Sequence, residues 1–239
     1  MLLRSFLFDK LCINYYNDGV GDTMDKRYIN QIEVIINLFT FDKGKLKVLL
    51  FRRSEEPFKG YWMLPSNLLM VSETIEECAL YTIEEMVGLN DIYLKQCNVF
   101  SKIDRLPNER IIGNSLIGLV DSQTIYFKKN NSLYESAWFT YDELPKMVYD
   151  HNEILINAIE YLKNELKQVE VLKKLFNNCF TMTELQKVYE IIYGKELDRR
   201  NFRKKILSMN IIEPTGDKNI NGNGRPAELY QFIEKKSLF

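Results

Sequence analysis

The stretch from Ile32 to Phe41 constrains the fold more than any other. Ile32, Val34, Ile35, Ile36, Leu38 and Phe39 make it β-branched, aliphatic and aromatic, as a buried strand should be. Asp42-Lys-Gly-Lys45 supplies a turn and residues 46–51 return as a second strand, giving a hairpin. A loop over residues 52–62 leads to Leu64-Pro65. Ser72 is placed to cap a helix over residues 73–87, with Ile75, Ala79, Ile83 and Met86 at helical spacing and Gly88 to stop it. Strand-like segments follow at 93–100, 111–120 and 135–140. Asp142 opens a short helix, and residues 152–166 read as a long amphipathic one. Strands, one internal helix, strands, then helices is an α+β order.

After about Leu172 the pattern changes. Thr181-Met-Thr-Glu184 is a capping box, with Leu185, Val188, Tyr189 and Ile192 on one face of the helix it opens and Gly194 ending it. Asp198 caps a second short helix, residues 199–209. Strand-like segments at 210–213 and 228–232 bracket a polar loop. Helix, turn, helix, strand, loop, strand is the order of a winged helix-turn-helix.

Charge divides the chain at the same place. Residues 171–239 carry 13 Lys/Arg against 8 Asp/Glu, a balance of +5, while the whole chain is −1 and residues 1–170 are therefore −6. A basic C-terminal third suits an anionic partner, commonly nucleic acid. The 46% hydrophobic and 27% charged content is that of a soluble globular protein, and no apolar run approaches the ~20 residues a bilayer requires. The apolar patch near the start is broken by Arg4, Asp9 and Lys10 and is not read as a secretory peptide; Met24 is an alternative start. Cys12, Cys78, Cys97 and Cys179 have no metal-type spacing, and His151 is the single histidine. Free buried thiols in a reducing cytoplasm are expected, with no zinc site.

Trp62-Met-Leu-Pro65 and residues 67–89 resemble the Nudix box, G-x5-E-x7-R-E-U-x-E-E-x-G-U with U apolar. The chain keeps Glu73, Ile83, Glu85, Gly88 and Leu89. It departs at Asn67 (glycine expected), Tyr81 (arginine), Thr82 (glutamate) and Met86 (glutamate). In hydrolases of this type the glutamates hold magnesium, a hard cation that demands oxygen ligands. Positions 82, 85 and 86 share a helix face. A thioether and a hydroxyl beside one carboxylate make a poor site, leaving Glu73 and Glu85 as residues of a lost centre. No catalytic residue and no cofactor are expected. The alternative is an active pyrophosphatase of nucleoside diphosphate derivatives with an accessory nucleic-acid-binding domain. Arg52, Arg53, Trp62, Arg105, Glu109 and Arg110 are placed by pattern around a cleft, where the arginine fork suits phosphate or sugar hydroxyls. His151, just ahead of a helix, reads as a structural hydrogen-bonder.

Within residues 198–209, Phe202, Ile206 and Met209 form one stripe for the domain core. Arg199, Arg200, Asn201, Arg203 and Lys204 populate the rest, a set suited to base edges and phosphates in the major groove. Lys218 and Arg225 lie in the wing and can reach phosphates. The two halves together resemble the Nudix-related, NrtR-like transcriptional regulators, and in particular a sugar-responsive AraR-type branch. The resemblance rests on Phe180-Thr-Met-Thr-Glu-Leu-Gln186, Tyr189-Glu-Ile-Ile-Tyr-Gly194, residues 198–205, Gly224-Arg-Pro-Ala227 and Leu229-Tyr-Gln-Phe232. In the first half it rests on Asp104-Arg105, Asn108-Glu-Arg110 and Asp150-His151. It implies an α/β/α sandwich followed by a winged helix-turn-helix. It also implies a cytoplasmic homodimer, with no membrane association, that binds a double-stranded DNA operator as a repressor and responds to a sugar or ADP-ribose-like effector. The expected divisions are an extension at 1–27, a sensor at 28–150, a linker helix at 151–170 and the DNA-binding domain at 171–239.

Overall fold

The computed structural model describes residues 31–42, 44–89, 92–107, 109–120, 135–176, 179–219 and 226–233. The expected extension, Cys12, Asn108 and Arg225 lie outside the described residues. β1 (Ile32–Asp42) and β2 (Lys45–Arg52) form the expected antiparallel hairpin, with Asp42 opposite Lys45. Gly44 turns it at φ 79°, a left-handed conformation in which glycine carries no Cβ penalty. Next come β3 (Trp62–Met63), β4 (Ser66–Leu68), α1 (Ile75–Val87), β5 (Tyr93–Phe100), β6 (Ile112–Leu119) and β7 (Glu135–Thr140). The sheet runs β3-β2-β1-β6-β5, with β4 also on β1 and β7 also on β2. β1 and β6 run parallel and the other pairs antiparallel. The short β3 and β4 fall in and just beyond what the sequence reads as a loop.

The sheet needs a layer on each face because β1 is apolar on both. Val34, Ile36 and Leu38 share a core with Cys78, Ala79, Ile83, Met86 and Val87 of α1. Ile35 and Phe39 share the other core with Leu155, Ala158, Ile159 and Leu162 of α2 (His151–Glu165). The helix expected to be a linker is therefore the second layer of an α/β/α sandwich. Ion pairs hold it to the sheet side, Lys95 to Glu165 at 2.6 Å and Lys102 to Glu153 at 2.8 Å. The first helix is capped by Thr74, two residues later than Ser72. Thr74 Oγ1 accepts from the Glu77 amide, and the Glu77 carboxylate accepts from the Thr74 amide.

The C-terminal part comprises α3 (Val169–Lys173), β8 (Phe180–Thr181), α4 (Met182–Tyr193), α5 (Arg199–Ser208), β9 (Ile212–Asn219) and β10 (Ala227–Phe232). Its sheet runs β8-β10-β9, all antiparallel. The wing hairpin is longer than the sequence reading, which ended its first strand at 213. Residues 214–219 have turn chemistry, but backbone pairing through Lys218 opposite Glu228 holds them as a ribbon whose side chains are exposed apart from the half-buried Thr215. The core does not stop between the halves. Leu166, Val171, Leu172 and Leu175 carry it from α2 to Phe180, Leu185, Val188, Phe202, Ile206 and Tyr230. Cys78 is buried, but Cys97 is only half-buried and Cys179 is exposed where the chain enters β8, against the expectation of buried thiols. Among the described residues no helix is long and apolar enough to cross a membrane.

Candidate functional site

Two places concentrate chemistry. The first is a cleft of about 180 Å3 at the start of β1 and the N-terminus of α2, lined by Glu33, Arg53, Met63, Glu109, Tyr149 and His151 among others. Its foundation is Arg105, whose side chain is only 1% exposed. Nε donates to Asp150 Oδ2 at 2.8 Å and Nη2 to Asp150 Oδ1 at 3.1 Å, a bidentate pair. Nη2 also donates to Glu33 Oε2 at 3.0 Å. Burial alone would lower the guanidinium's pKa, but its hydrogen bonds to Asp150 and the charge of Glu33 hold it above its ordinary value. Gly113 makes room for it: a Cβ there would lie 3.1 Å from Arg105 Cζ and 3.1 Å from Ile35 Cδ1. That glycine was missed, since nothing local in the sequence marks it.

His151 is 1% exposed and begins α2. Its Nδ1 accepts a hydrogen bond from the Leu64 amide at 3.0 Å, so the neutral ring carries its proton on Nε2. Burial pushes its pKa below the ordinary imidazole value despite Glu33 and Asp150 nearby. Tyr149, held at φ 45°, lies beside Arg53, Glu109 and Glu33, and burial raises its phenol. Phe58 meets Tyr149 edge-on at 5.0 Å and Tyr61 at 5.6 Å.

The structure brings only part of the expected ring together. Arg53 and Glu109 line the cleft, and Arg105 braces it from beneath. Arg53 spends its fork on its own loop, Nε to the Pro57 carbonyl at 2.6 Å and Nη2 to that of Glu56 at 3.3 Å. Arg52 is exposed and pairs with Glu135 at 2.9 Å, since the β2–β7 register sets them opposite each other. Trp62 packs edge-on against Phe139 at 4.7 Å, and Arg110 donates to the carbonyls of Lys102 and Ser101. None of these three lines the cleft. Glu33 and Tyr149, which do, were missed.

The box helix also differs from the reading of one metal-facing surface. Thr82 is buried, donating its hydroxyl to the Cys78 carbonyl at 2.7 Å, and Met86 is 5% exposed in the core. They continue the stripe of Cys78, Ala79 and Ile83 that meets the sheet, while Glu85 is half-buried. Glu73 accepts from the Met70 amide at 2.9 Å. Among the described residues no group of three or more His, Cys, Asp or Glu is placed to hold a metal ion. A hydroxyl already donated to backbone and a thioether in the core do not fit a magnesium centre.

The second place is α5. Its N-cap Asp198 accepts from the Asn201 amide at 2.9 Å. The turn before it is pinned by Gln186, which donates to Glu190 at 2.9 Å and to the Leu197 carbonyl at 2.8 Å, while the Leu197 amide donates to Glu190 at 3.1 Å. Phe202 and Ile206 are buried, Phe202 against Tyr189 at 5.4 Å. Met209 is not part of that stripe: it sits past the helix end and is 47% exposed. Arg199, Arg200, Asn201, Arg203 and Lys204 are all exposed. Arg203 alone turns to the wing, 3.2 Å from Glu228 and over the Tyr230 ring at 5.5 Å. The Tyr230 hydroxyl donates to the same Glu228, and both bonds lower that carboxylate's pKa. Lys218 is exposed on β9.

Residues 173–232 match the NrtR DNA-binding winged helix domain. The "ADPR responsive transcriptional repressor NtrR" of Acinetobacter baylyi is 31% identical over 199 residues, 82% of this chain and 79% of that one. The crystal structure of Shewanella oneidensis NrtR complexed with a 27mer DNA superposes with a TM-score of 0.71 at 26% identity, covering 84% of this chain and 93% of that one. An ADP-ribose pyrophosphatase of Methanocaldococcus jannaschii is 32% identical over 109 residues, 46% of this chain and 63% of the enzyme. A Nudix-type sandwich fused to a winged helix with an outward-facing basic helix defines a transcriptional regulator built on a small-molecule-binding fold. The chain belongs to the NrtR-like family of Nudix-associated winged-helix regulators.

Proposed function

We propose that the protein is an ADP-ribose-responsive transcriptional repressor that binds its operator as a homodimer. The observation that carries this is α5: Arg199, Arg200, Asn201 and Lys204 stand in solvent while Phe202 and Ile206 fix the helix to its own domain. Arginine and asparagine can read guanine and adenine edges, and lysine holds phosphate. Lys218, exposed on β9, supplies a further phosphate contact. The effector assignment is supported by the relative from Acinetobacter baylyi and by the cleft at Glu33, Arg53 and Glu109. The sensor comprises the sandwich with α2 as its second layer, and the DNA-binding unit begins near residue 171.

The likeness to a pyrophosphatase favours a second reading, hydrolysis of the effector. Against it stand Tyr81, Thr82 and Met86, which leave the box helix without the carboxylates that magnesium needs. One experiment separates the two. A duplex enriched from a random pool by the full chain is titrated by fluorescence anisotropy beside a scrambled duplex, with and without ADP-ribose and magnesium, and product is assayed in the same samples. The expected result is a preference for the enriched duplex that ADP-ribose weakens, with no turnover approaching roughly 1 per second. An unaltered preference overturns the effector assignment, and turnover at that rate overturns the non-enzymatic reading.

A further inference from the structure

The floor of the cleft holds two polar side chains that the described structure does not use up. Glu33 is 3% exposed and His151 1% exposed, and both line the cleft. Glu33 gives Oε2 to Arg105, which leaves Oε1 as an acceptor. His151 gives Nδ1 to the Leu64 amide, which leaves the Nε2–H as a donor. An acceptor and a donor that stay open at the floor of a cleft can be completed by a ligand placed there.

Resting on the reading of the cleft as the effector site, we propose that Glu33 Oε1 and His151 Nε2–H together bind a vicinal diol of a pentose. One hydroxyl donates to the carboxylate and its neighbour accepts from the imidazole. The pairing demands an acceptor and a donor, and the hydrogen bonds around them leave one of each. Arg105 takes Glu33 Oε2 inside the protein, and Oε1 is left to accept. The Leu64 amide needs a lone pair on Nδ1, which puts the neutral ring's proton on Nε2. A phosphate at the same spot would meet the Glu33 carboxylate and be repelled. Uncharged hydroxyls, which both donate and accept, match both groups.

An adenosine ribose and a terminal ribose offer the same diol, and the test distinguishes them. The full chain, Glu33→Gln and His151→Asn are titrated calorimetrically with ADP-ribose, ADP and 2′,3′-dideoxy-ADP, with a thermal melt of each variant as the fold control. His151→Asn offers an oxygen to the Leu64 amide and lacks the imidazole Nε2–H, so it stands if Glu33→Gln fails to fold. The expected result is about tenfold or greater loss of ADP-ribose affinity in the variants, as for a hydrogen bond to a charged or buried group. If ADP is weakened equally and dideoxy-ADP binds the parent as poorly as ADP binds the variants, the adenosine ribose occupies the floor. If only ADP-ribose is weakened, the terminal ribose does. A parent that binds ADP-ribose with both folded variants within about twofold overturns the diol assignment and leaves the effector reading standing. A parent that does not bind ADP-ribose overturns the effector reading. Free D-ribose and L-arabinose then decide the diol: binding lost in His151→Asn supports it, and no binding overturns it.

Discussion

Arg105 links two carboxylates that lie far from it in sequence. Glu33 is 72 residues away and Asp150 is 45, so no local pattern could have joined them. The sequence placed Arg105 among the cleft arginines but could not show that it points into the protein. Replacing it with methionine leaves Glu33 and Asp150 facing each other without a cation. The expected cost is about 3–5 kcal/mol, as for breaking a buried ion pair, read as a lower urea midpoint at unchanged slope. His151 gives a second test at this scale. Its folded pKa lies below the unfolded value near 6.5, so in the window just below pH 6.5 the unfolded chain binds a proton that the folded chain refuses. Stability is full above pH 6.5 and falls as pH drops through that window, above the range where carboxylates titrate. Because the chain has one histidine, His151→Asn should flatten that slope in thermal melts taken from pH 7.5 to 5.5. A slope unchanged by the substitution would assign it to other groups.

At the scale of elements, periodic signals were legible and short or polar ones were not. Residues 93–100 and 135–140 are strands at the bounds read from sequence, rich in aromatic and aliphatic residues although only half-buried. The capping box at Thr181 and Glu184 also stands where it was read. The missed features have physical reasons. β3 and β4 span two and three residues, too short for a period to register. Met209 was added to the core stripe by its angle alone, but the helix ends before it. The α5 face gives the sharpest prediction. Arg200→Ala should remove about 1–3 kcal/mol of specific operator binding and relax one base position, and Lys204→Ala should weaken all duplexes alike and lower the salt slope by about 1. Both side chains are exposed, so thermal stability should stay unchanged. Anisotropy titrations at two salt concentrations read both effects. Arg203 should behave differently, because its ion pair with Glu228 ties the helix to the wing. Its loss should loosen the wing as well as any DNA contact.

In the whole molecule, the two halves share one hydrophobic core instead of two separate ones. The change of pattern near residue 172 was visible in sequence as a boundary between units. Sequence could not show that α2 faces both ways, with the sheet on one side and α4 in contact with it. An apolar stripe reports that a helix is buried and does not say against what. Sandwich and winged helix should therefore unfold together: calorimetry of the full chain should give one transition, and two separate transitions would mean that the shared core does not couple them. The same core limits how such proteins can be recombined. A biosensor made by grafting this DNA reader onto a foreign sensor, or this sensor onto another reader, cannot be cut in the short connection between α2 and α3. A cut there strips the cover from Leu166, Val171, Leu172 and Phe180, and each fragment would then present sticky apolar surface. Modularity here belongs to the pair of domains, and a working graft has to carry α2 with the reader or rebuild its apolar face on the new partner.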